Sequence, residues 1–302
     1  MSYSVAIVIL NWNGWEYTRA CLESLLNSGF PPSQVIIVDN HSEDGSFDYI
    51  KETFPDIQLI RNHANLGFAG GNNVGIRKAL EEGYRYIMLL NNDTELNPDF
   101  LTYLVEEMEI SENVAAIQPL IYFLRKKDKL WNAGGRFRPW LAYSQTCYKI
   151  KNNKIAYPTD WITGCAILVR AKVIKEVGLL DEQYFAYFED VDWSLRMKKR
   201  GYALKVHPLS VIFHEAGASS KSKNEEKEGF LDPKVHYLNA RNQVFQLRKH
   251  ARFPLGIVAW PAQLIRFGIF ACYFLVRGRK NKLKAVIRGW KEGFTTKISN
   301  QE

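Results

Sequence analysis

The chain has 302 residues, 46% of them hydrophobic, and a net charge of +8. This excludes global disorder and allows one large domain or one domain with an appendage. Four cysteines, Cys21, Cys147, Cys165 and Cys272, are scattered without paired spacing, which argues against a disulfide frame or a zinc site and for a reduced compartment. The N-terminus lacks the basic segment and long apolar core of a secretory signal, so a cytosolic location is expected. Charge is uneven: residues 221–302 hold seventeen Lys and Arg against six Asp and Glu, a net of +11, which leaves −3 for the first 220. Such a basic tail, interleaved with an apolar segment, points to an anionic membrane surface rather than to nucleic acid.

In chain order, residues 5–10 form an uninterrupted aliphatic run that predicts a buried strand, ending in the polar loop Asn11, Trp12, Asn13, Gly14. A helix is expected over 15–27, a second strand over 35–38 ending at Asp39, a helix over 46–53 and a short strand over 57–60. The next helix, to about residue 82, opens on Gly67, Gly70, Gly71 and Gly75. These glycines lack the G-x-G-x-x-G spacing of a dinucleotide fold; they either let backbone N–H groups approach a phosphate or permit close packing. The run at 87–90 shows no alternation, so helices should cover both faces of the sheet, and it ends in Asn91, Asn92 and Asp93. A helix should start at Pro98. Repeated strand–helix units predict a parallel sheet with right-handed crossovers, and a ligand crevice outside the carboxyl ends of its strands, where Asp39 and Asp93 meet. A carboxylate there suits a divalent cation bound to a diphosphate, although Asn and Asp also serve simply to turn the chain.

A strand is expected over 114–120. Residues 122–160 mix Lys, Asn, Pro and aromatic residues, as short antiparallel strands or an active-site flap would. Buried character returns at 161–170. The cluster Glu189, Asp190 and Asp192 follows Tyr184, Phe185, Tyr187 and Phe188 and precedes a helix over 192–200. Acidic groups at a helix start can be capping residues, but an aromatic setting also raises a carboxylate pKa by desolvation, which suits a general base. A last short strand at 211–213 delivers His214, whose neutral imidazole can join Asp93 on a metal ion.

The ordered pieces VAIVILNWNG (5–14), VIIVDNHSEDGS (35–46), NLGFAGGNNVGI (65–76), LLNNDTEL (89–96), the long block 163–202 containing FAYFEDVDW, and HEAGAS (214–219) together resemble the inverting glycosyltransferases of family two, most closely the bacterial rhamnosyltransferase-like branch. The resemblance covers roughly residues 5–219. It implies a GT-A fold, a Rossmann-like α/β arrangement with a mostly parallel sheet flanked by helices. The catalytic domain would be 1–220, its nucleotide-sugar half about 1–95 and its acceptor half about 96–220.

By the same resemblance Asp39 binds the nucleobase, beside the loop Asn11 to Gly14. Asn65, Gly67, Asn72 and Asn92 also surround the nucleotide-sugar. Asp93 and His214 hold Mg2+ or Mn2+, Asp190 is the catalytic base, and Trp161, Gly164 and Glu189 lie on the acceptor side. One departure stands out: Asn91 replaces the first aspartate of the metal motif, which should weaken cation binding. The implied reaction moves rhamnose, from dTDP-rhamnose, to a saccharide or lipid-linked saccharide. A nucleotidyltransferase is disfavoured because the first loop lacks a lysine-bearing glycine-rich motif. A binding-only protein with a decayed metal motif is the alternative outside catalysis.

Beyond the resemblance, residues 230–252 read as a helix with a basic face. Residues 255–276 are long enough to cross a bilayer, yet contain Pro261, Gln263 and a central Arg266. An in-plane or re-entrant helix fits better, with Arg277, Arg279, Lys280, Lys282 and Lys284 set to meet anionic head groups. The 221–302 extension would thus hold the protein peripherally on the inner face of the cell membrane, contacting the surface through 230–291.

Overall fold

The computed structural model describes residues 4–215, 231–251 and 253–298; the domain limit expected near 220 and the end of the HEAGAS motif lie outside the described residues. The aliphatic runs become strands and the periodic stretches between them helices. The first half runs Val5–Asn11 (β1), Trp15–Asn27 (α1), Val35–Asp39 (β2), Ser46–Thr53 (α2), Gln58–Arg61 (β3), Gly67–Glu81 (α3) and Tyr86–Asn91 (β4). The middle runs Thr94–Leu96 (β5), Phe100–Ile110 (α4), Val114–Phe123 (β6), Lys126–Asn132 (β7), Gly135–Arg138 (β8), Tyr143–Thr146 (β9), Tyr157–Pro158 (β10) and Ala166–Arg170 (β11). Then follow Ala171–Val177 (α5), Glu189–Lys199 (α6), Ala203–His214 (β12), Pro233–His250 (α7), Gly256–Val276 (α8) and Lys280–Thr295 (α9).

The main sheet has the order β10-β12-β6-β11-β4-β1-β2-β3, with β5 beside β12 and β7 beside β6. Strands β3, β2, β1 and β4 are mutually parallel, and β6 is parallel to β12. Between the two blocks β11 is antiparallel to both β4 and β6, and β5, β7 and β10 run antiparallel to their partners, so six of the ten strands share one direction and the sheet is mixed rather than mostly parallel. The order reverses between β1 and β4, the position at which open α/β sheets form a crevice at their carboxyl ends.

Both faces are covered. Ile7 and Ile9 share one core with Leu22, Leu25, Ile50 and Leu104, whereas Ala6 and Val8 share the other with Ile76, Val173, Trp193 and Met197. This is why β1 shows no alternation. A Cβ at Gly71 would meet Leu10 at 2.4 Å and one at Gly75 would meet Val8 at 2.3 Å, so these two glycines let α3 lie directly on β1.

Several boundaries differ from the sequence reading. The short strand β5 intervenes after Asp93, and the helix expected from Pro98 begins at Phe100. Helix α6 begins at Glu189, which places Glu189, Asp190 and Asp192 all in its first turn. Strand β12 spans Ala203–His214 rather than three residues. In the C-terminal part, Arg241, Arg248 and Lys249 of α7 bond inward to protein carbonyls and carboxylates, so this helix offers little basic face to solvent.

Helix α9 lies close on α7, because Cβ atoms at Gly289 and Gly293 would sit 2.4 Å from Tyr237 O and 2.7 Å from Val244 Cβ. Helix α8 joins α9 by stacking Phe267 on Trp290 at 4.1 Å. Midway along α8, Gln263 Nε2 donates to Leu141 O at 2.6 Å and the Arg266 guanidinium lies 4.7 Å from the Tyr143 ring.

Candidate active site

Three polar groups gather at the carboxyl edge of the sheet. Parallel pairing of β1 and β2 sets Asn11 opposite Asp39. Asn11 Nδ2 donates to Asp39 Oδ2 at 2.9 Å and to Ser42 Oγ at 3.1 Å, while its Oδ1 accepts from Thr18 Oγ at 2.7 Å. Asp39 Oδ1 accepts from the Ser42 N–H at 3.0 Å. Asn11 and Asp39 are both 0% exposed, so they shape the loop from beneath. Asn13, at φ 49°, accepts from the Glu43 N–H at 2.8 Å and ties the first loop to the second.

Next to them Asn40 knots the third loop. Its Nδ2 donates to Asn65 Oδ1 at 2.9 Å and Gly67 O at 3.1 Å, and its Oδ1 accepts from Asn62 and from the Leu66 N–H. Asn72 is buried and donates to Phe68 O within its own helix. Asn92 Nδ2 donates to Thr18 Oγ at 2.9 Å, linking the end of β4 to α1.

Pairing of β5 with β12 brings His214 opposite Thr94. Asp93 Oδ1 therefore stands 3.1 Å from His214 Nε2. The contact lacks hydrogen-bond alignment, and Asp93 Oδ1 and His214 Nδ1 are buried without a hydrogen-bond partner. The Trp131 ring packs edge-on to the imidazole at 4.5 Å. Burial works against a charged imidazole, but the neighbouring Cys165 sulfur and the Asp93 carboxylate outweigh it and push the His214 pKa up to about 10. Two cis ligands of an octahedral ion at about 2.1 Å stand about 3 Å apart, so the unpartnered Asp93 Oδ1 and His214 Nε2, which also has Asn91 Nδ2 at 3.5 Å, fit a divalent cation as two of its ligands. Among the described residues no group of three His, Cys, Asp or Glu side chains converges. Remaining ligands would be phosphate oxygens and water, as hard cations at phosphate sites commonly have.

Asp190 reaches the same edge by another route. The Asn91 N–H donates to Cys165 O at 2.8 Å across the β4–β11 rung. The neighbouring Gly164 N–H donates to Asp190 Oδ2 at 2.9 Å, and the Val191 N–H donates to Asp190 Oδ1 at 2.8 Å. Burial raises the Cys165 thiol pKa, with the His214, Asp93 and Asp190 charges as smaller influences. Burial raises the Asp190 pKa above the usual carboxylate range against the pull of its backbone donors. Burial and the Asp190 charge raise that of Glu189 well above it.

Asp192 has a different task. Its carboxylate is 0% exposed and meets Arg196 at 2.9 Å, Lys249 at 2.6 Å and His250 at 2.8 Å. The helix start has no side-chain cap, so Asp192 is the centre of a buried ion cluster tying α6 to α7. Trp161 is buried over Gly135, where a Cβ would fall inside its indole ring, and its Nε1 has no hydrogen-bond partner. The loop before α6 is strained: Phe185, Tyr187 and Phe188 have φ of 62°, 72° and 72°, each costing on the order of 1–3 kcal/mol. Thr18, Asn40, Ser42, Trp131 and Cys165 touch the candidate residues and escaped the sequence reading. Only Thr18 left a signal, seven residues after Asn11 on the first helix.

Residues 4–178 match the family model described as glycosyl transferase family 2. The chain belongs to that family. It is similar to N-acetylglucosaminyl-diphospho-decaprenol L-rhamnosyltransferase of Mycobacterium tuberculosis, 24% identical over 95% of this chain and 99% of that protein. It is also similar to dTDP-rhamnosyl transferase RfbF of Shigella flexneri, 24% identical over 83% and 81%. Among solved structures, the mannosyltransferase PcManGT from Pyrobaculum calidifontis, in complex with GDP-Man and Mn2+, superposes with a TM-score of 0.60 at 15% identity, covering 99% of this chain and 89% of that one. The fold is thus GT-A, and this family 2 member is a nucleotide-sugar-dependent glycosyltransferase.

Proposed function

We propose that this glycosyltransferase transfers rhamnose from dTDP-rhamnose, with inversion, to a hydroxyl of a lipid-linked saccharide during cell-surface polysaccharide assembly. What supports the catalytic reading is the fixed Asp190 carboxylate, which accepts from the Gly164 N–H next in the chain to Cys165, whose carbonyl pairs with Asn91 two residues before Asp93. Base and leaving-group side then share one crevice. The acceptor oxygen forms a bond to the anomeric carbon as the bond to the diphosphate oxygen breaks, and the electron pair leaves with the nucleoside diphosphate. The hydroxyl proton passes to Asp190, whose two backbone donors hold it in place and whose desolvation makes it a stronger base than a surface carboxylate. Asn11, Asn13, Asp39 and Asn65 hold the loops that receive the nucleotide, and Trp161 and Gly164 flank the acceptor. Asp93 and His214 are the residues that would hold Mg2+ or Mn2+, and when bound the ion supplies positive charge against the leaving diphosphate.

Rhamnose and a lipid-linked acceptor rest on the likeness to the M. tuberculosis and S. flexneri rhamnosyltransferases. Helix α8 supports a membrane role. It is the one helix among the described residues with the length and apolar composition of a span, and Ile257, Ile265, Ile269, Leu275 and Val276 are exposed on it. Its midpoint is tied to residues 141–143, which favours lying in the interface over crossing it. Exposed Arg277, Lys280, Lys284, Arg288 and Lys291 border that face, whereas Lys282 is buried and is removed from the set expected to meet head groups. The enzyme would then work at the inner face of the membrane.

The test is a donor panel of dTDP-rhamnose, UDP-hexoses, UDP-N-acetylhexosamines and GDP-mannose with a polyprenyl-diphosphate saccharide, read by nucleoside diphosphate release and anomeric NMR of the product. Release from dTDP-rhamnose with inversion is expected; a different donor or retained configuration would refute the specific reading. Cosedimentation with anionic vesicles but not neutral ones tests the membrane face.

A further inference from the structure

The loop 183–188 leads directly into Asp190, and a strained backbone persists only where its surroundings overdetermine it. Helix α7 provides those surroundings. Asn242 Nδ2 donates to the carbonyls of Tyr184, Ala186 and Tyr187 at 3.0, 2.8 and 2.8 Å. An amide nitrogen has two protons, so at least one is shared between carbonyls that crowd a single donor. Arg241 Nη2 donates to Gln183 O at 2.9 Å and Tyr184 O at 2.8 Å, and Gln246 Nε2 donates to Phe188 O at 3.1 Å. Arg241 Nε also donates to Asn242 Oδ1 at 3.0 Å, which fixes the amide with its donors facing the loop. The remaining carbonyl, that of Phe185, accepts from the Ala69 N–H at 3.1 Å. Every carbonyl from Gln183 to Phe188 is thereby held, five of the six by α7. Asn242 itself is 0% exposed.

We propose that Asn242 is a positioning residue for the transfer reaction: with Arg241 and Gln246 it sets the 183–188 backbone and, through it, the aim of the Asp190 carboxylate. This rests on the reading of Asp190 as the base. It makes the C-terminal helices part of the active-site scaffold as well as the membrane-facing element, because α7 is packed in turn on α9.

Asn242→Asp is the cleanest perturbation, since it keeps the shape and replaces the donating nitrogen by an oxygen facing three carbonyls. A displacement of the base by about 1 Å costs about a hundredfold in turnover. The expected result is a kcat about a hundredfold lower with KM for the nucleotide-sugar within about twofold of wild type, and a shifted acid limb of the pH–kcat profile. Gln246→Met, which removes one donor, should show the same split with a kcat fall of about tenfold, and it stands in if Asn242→Asp fails to fold by circular dichroism. Folded variants with wild-type kcat would overturn the proposal, as would kcat and donor affinity falling in parallel. Asp190→Asn is run alongside: wild-type turnover in that variant would remove the reading of the base and the inference with it. Inactive Asp190→Asn with unimpaired Asn242→Asp would sink the inference alone.

Discussion

Gly67→Ala separates backbone strain from site geometry. Gly67 has φ +74° at the start of α3, and a Cβ there would lie 2.4 Å from Phe185 O and 2.6 Å from its ring. Contacts below 3.0 Å essentially do not occur, so the Phe185 carbonyl must retreat by about 0.6 Å, loosening its bond to the Ala69 N–H. An alanine in the left-handed region costs about 1–2 kcal/mol, and the lost hydrogen bond about 1 kcal/mol. The expected destabilisation is about 2–3 kcal/mol. The same shift moves the loop that carries Asp190 and should lower turnover roughly ten- to a hundredfold. Gly83→Ala is the matched control, with φ +78° and nothing within 4 Å of its Cβ; it should cost about 1–2 kcal/mol and leave turnover unchanged. Urea unfolding and nucleoside diphosphate release measure the two quantities. Equal stability and equal turnover in the two variants would refute the link from Gly67 through Phe185 to Asp190.

Other expectations follow from charge. Asp192→Asn leaves Arg196, Lys249 and His250 without their shared buried partner and should cost about 3–5 kcal/mol in urea unfolding; a loss below about 1 kcal/mol would contradict the buried-cluster reading. Burial opposes ionisation of Asp192, but His250, Arg196 and Lys249 hold its pKa well below the usual range. Its stabilisation is therefore complete at neutral pH and is lost as pH falls below about 4, so the wild-type and Asp192→Asn stabilities should converge in acid. A cation on Asp93 and His214 must displace the imidazole proton, held up to about pH 10. Mn2+ affinity measured calorimetrically with nucleoside diphosphate should rise about tenfold from pH 7 to pH 8; an affinity independent of pH would exclude His214 as a ligand. Burial and the Asp190 charge raise the Glu189 pKa well above the usual carboxylate range, so Glu189→Gln, which fixes the neutral form, should leave the acid limb of the pH–kcat profile in place, and a shift of that limb would show that Glu189 carries the charge.

Strands β1 to β4 were legible because buried parallel strands write continuous apolar runs that end in polar residues. Helices α1 and α2 carry the limits expected from their periodicity. Strand β12 was read only at 211–213 because Lys205, His207 and Pro208 interrupt its first part, and its neighbours β6, β5 and β10 come from distant sequence. The Asp93–His214 contact depends on β5, a three-residue strand hidden in what resembles a turn. The basic residues of α7 suggested a membrane face because composition does not reveal which side of a helix is covered; Lys249 instead meets Asp181 and Asp192. The Asn242 clamp was invisible for a simpler reason: its partners are backbone carbonyls, which any sequence supplies. Asp190 drew notice from its aromatic flank and again from the family pattern, and burial raises its pKa.

The central claim is that Asp190 takes the acceptor proton in a single inverting displacement. Single-turnover nucleoside diphosphate release from dTDP-rhamnose, with wild type and Asp190→Asn side by side and donor affinity measured on both, tests it most directly. The account predicts donor binding preserved and transfer slowed by about a hundredfold or more in the variant. Transfer at the wild-type rate by Asp190→Asn would contradict it.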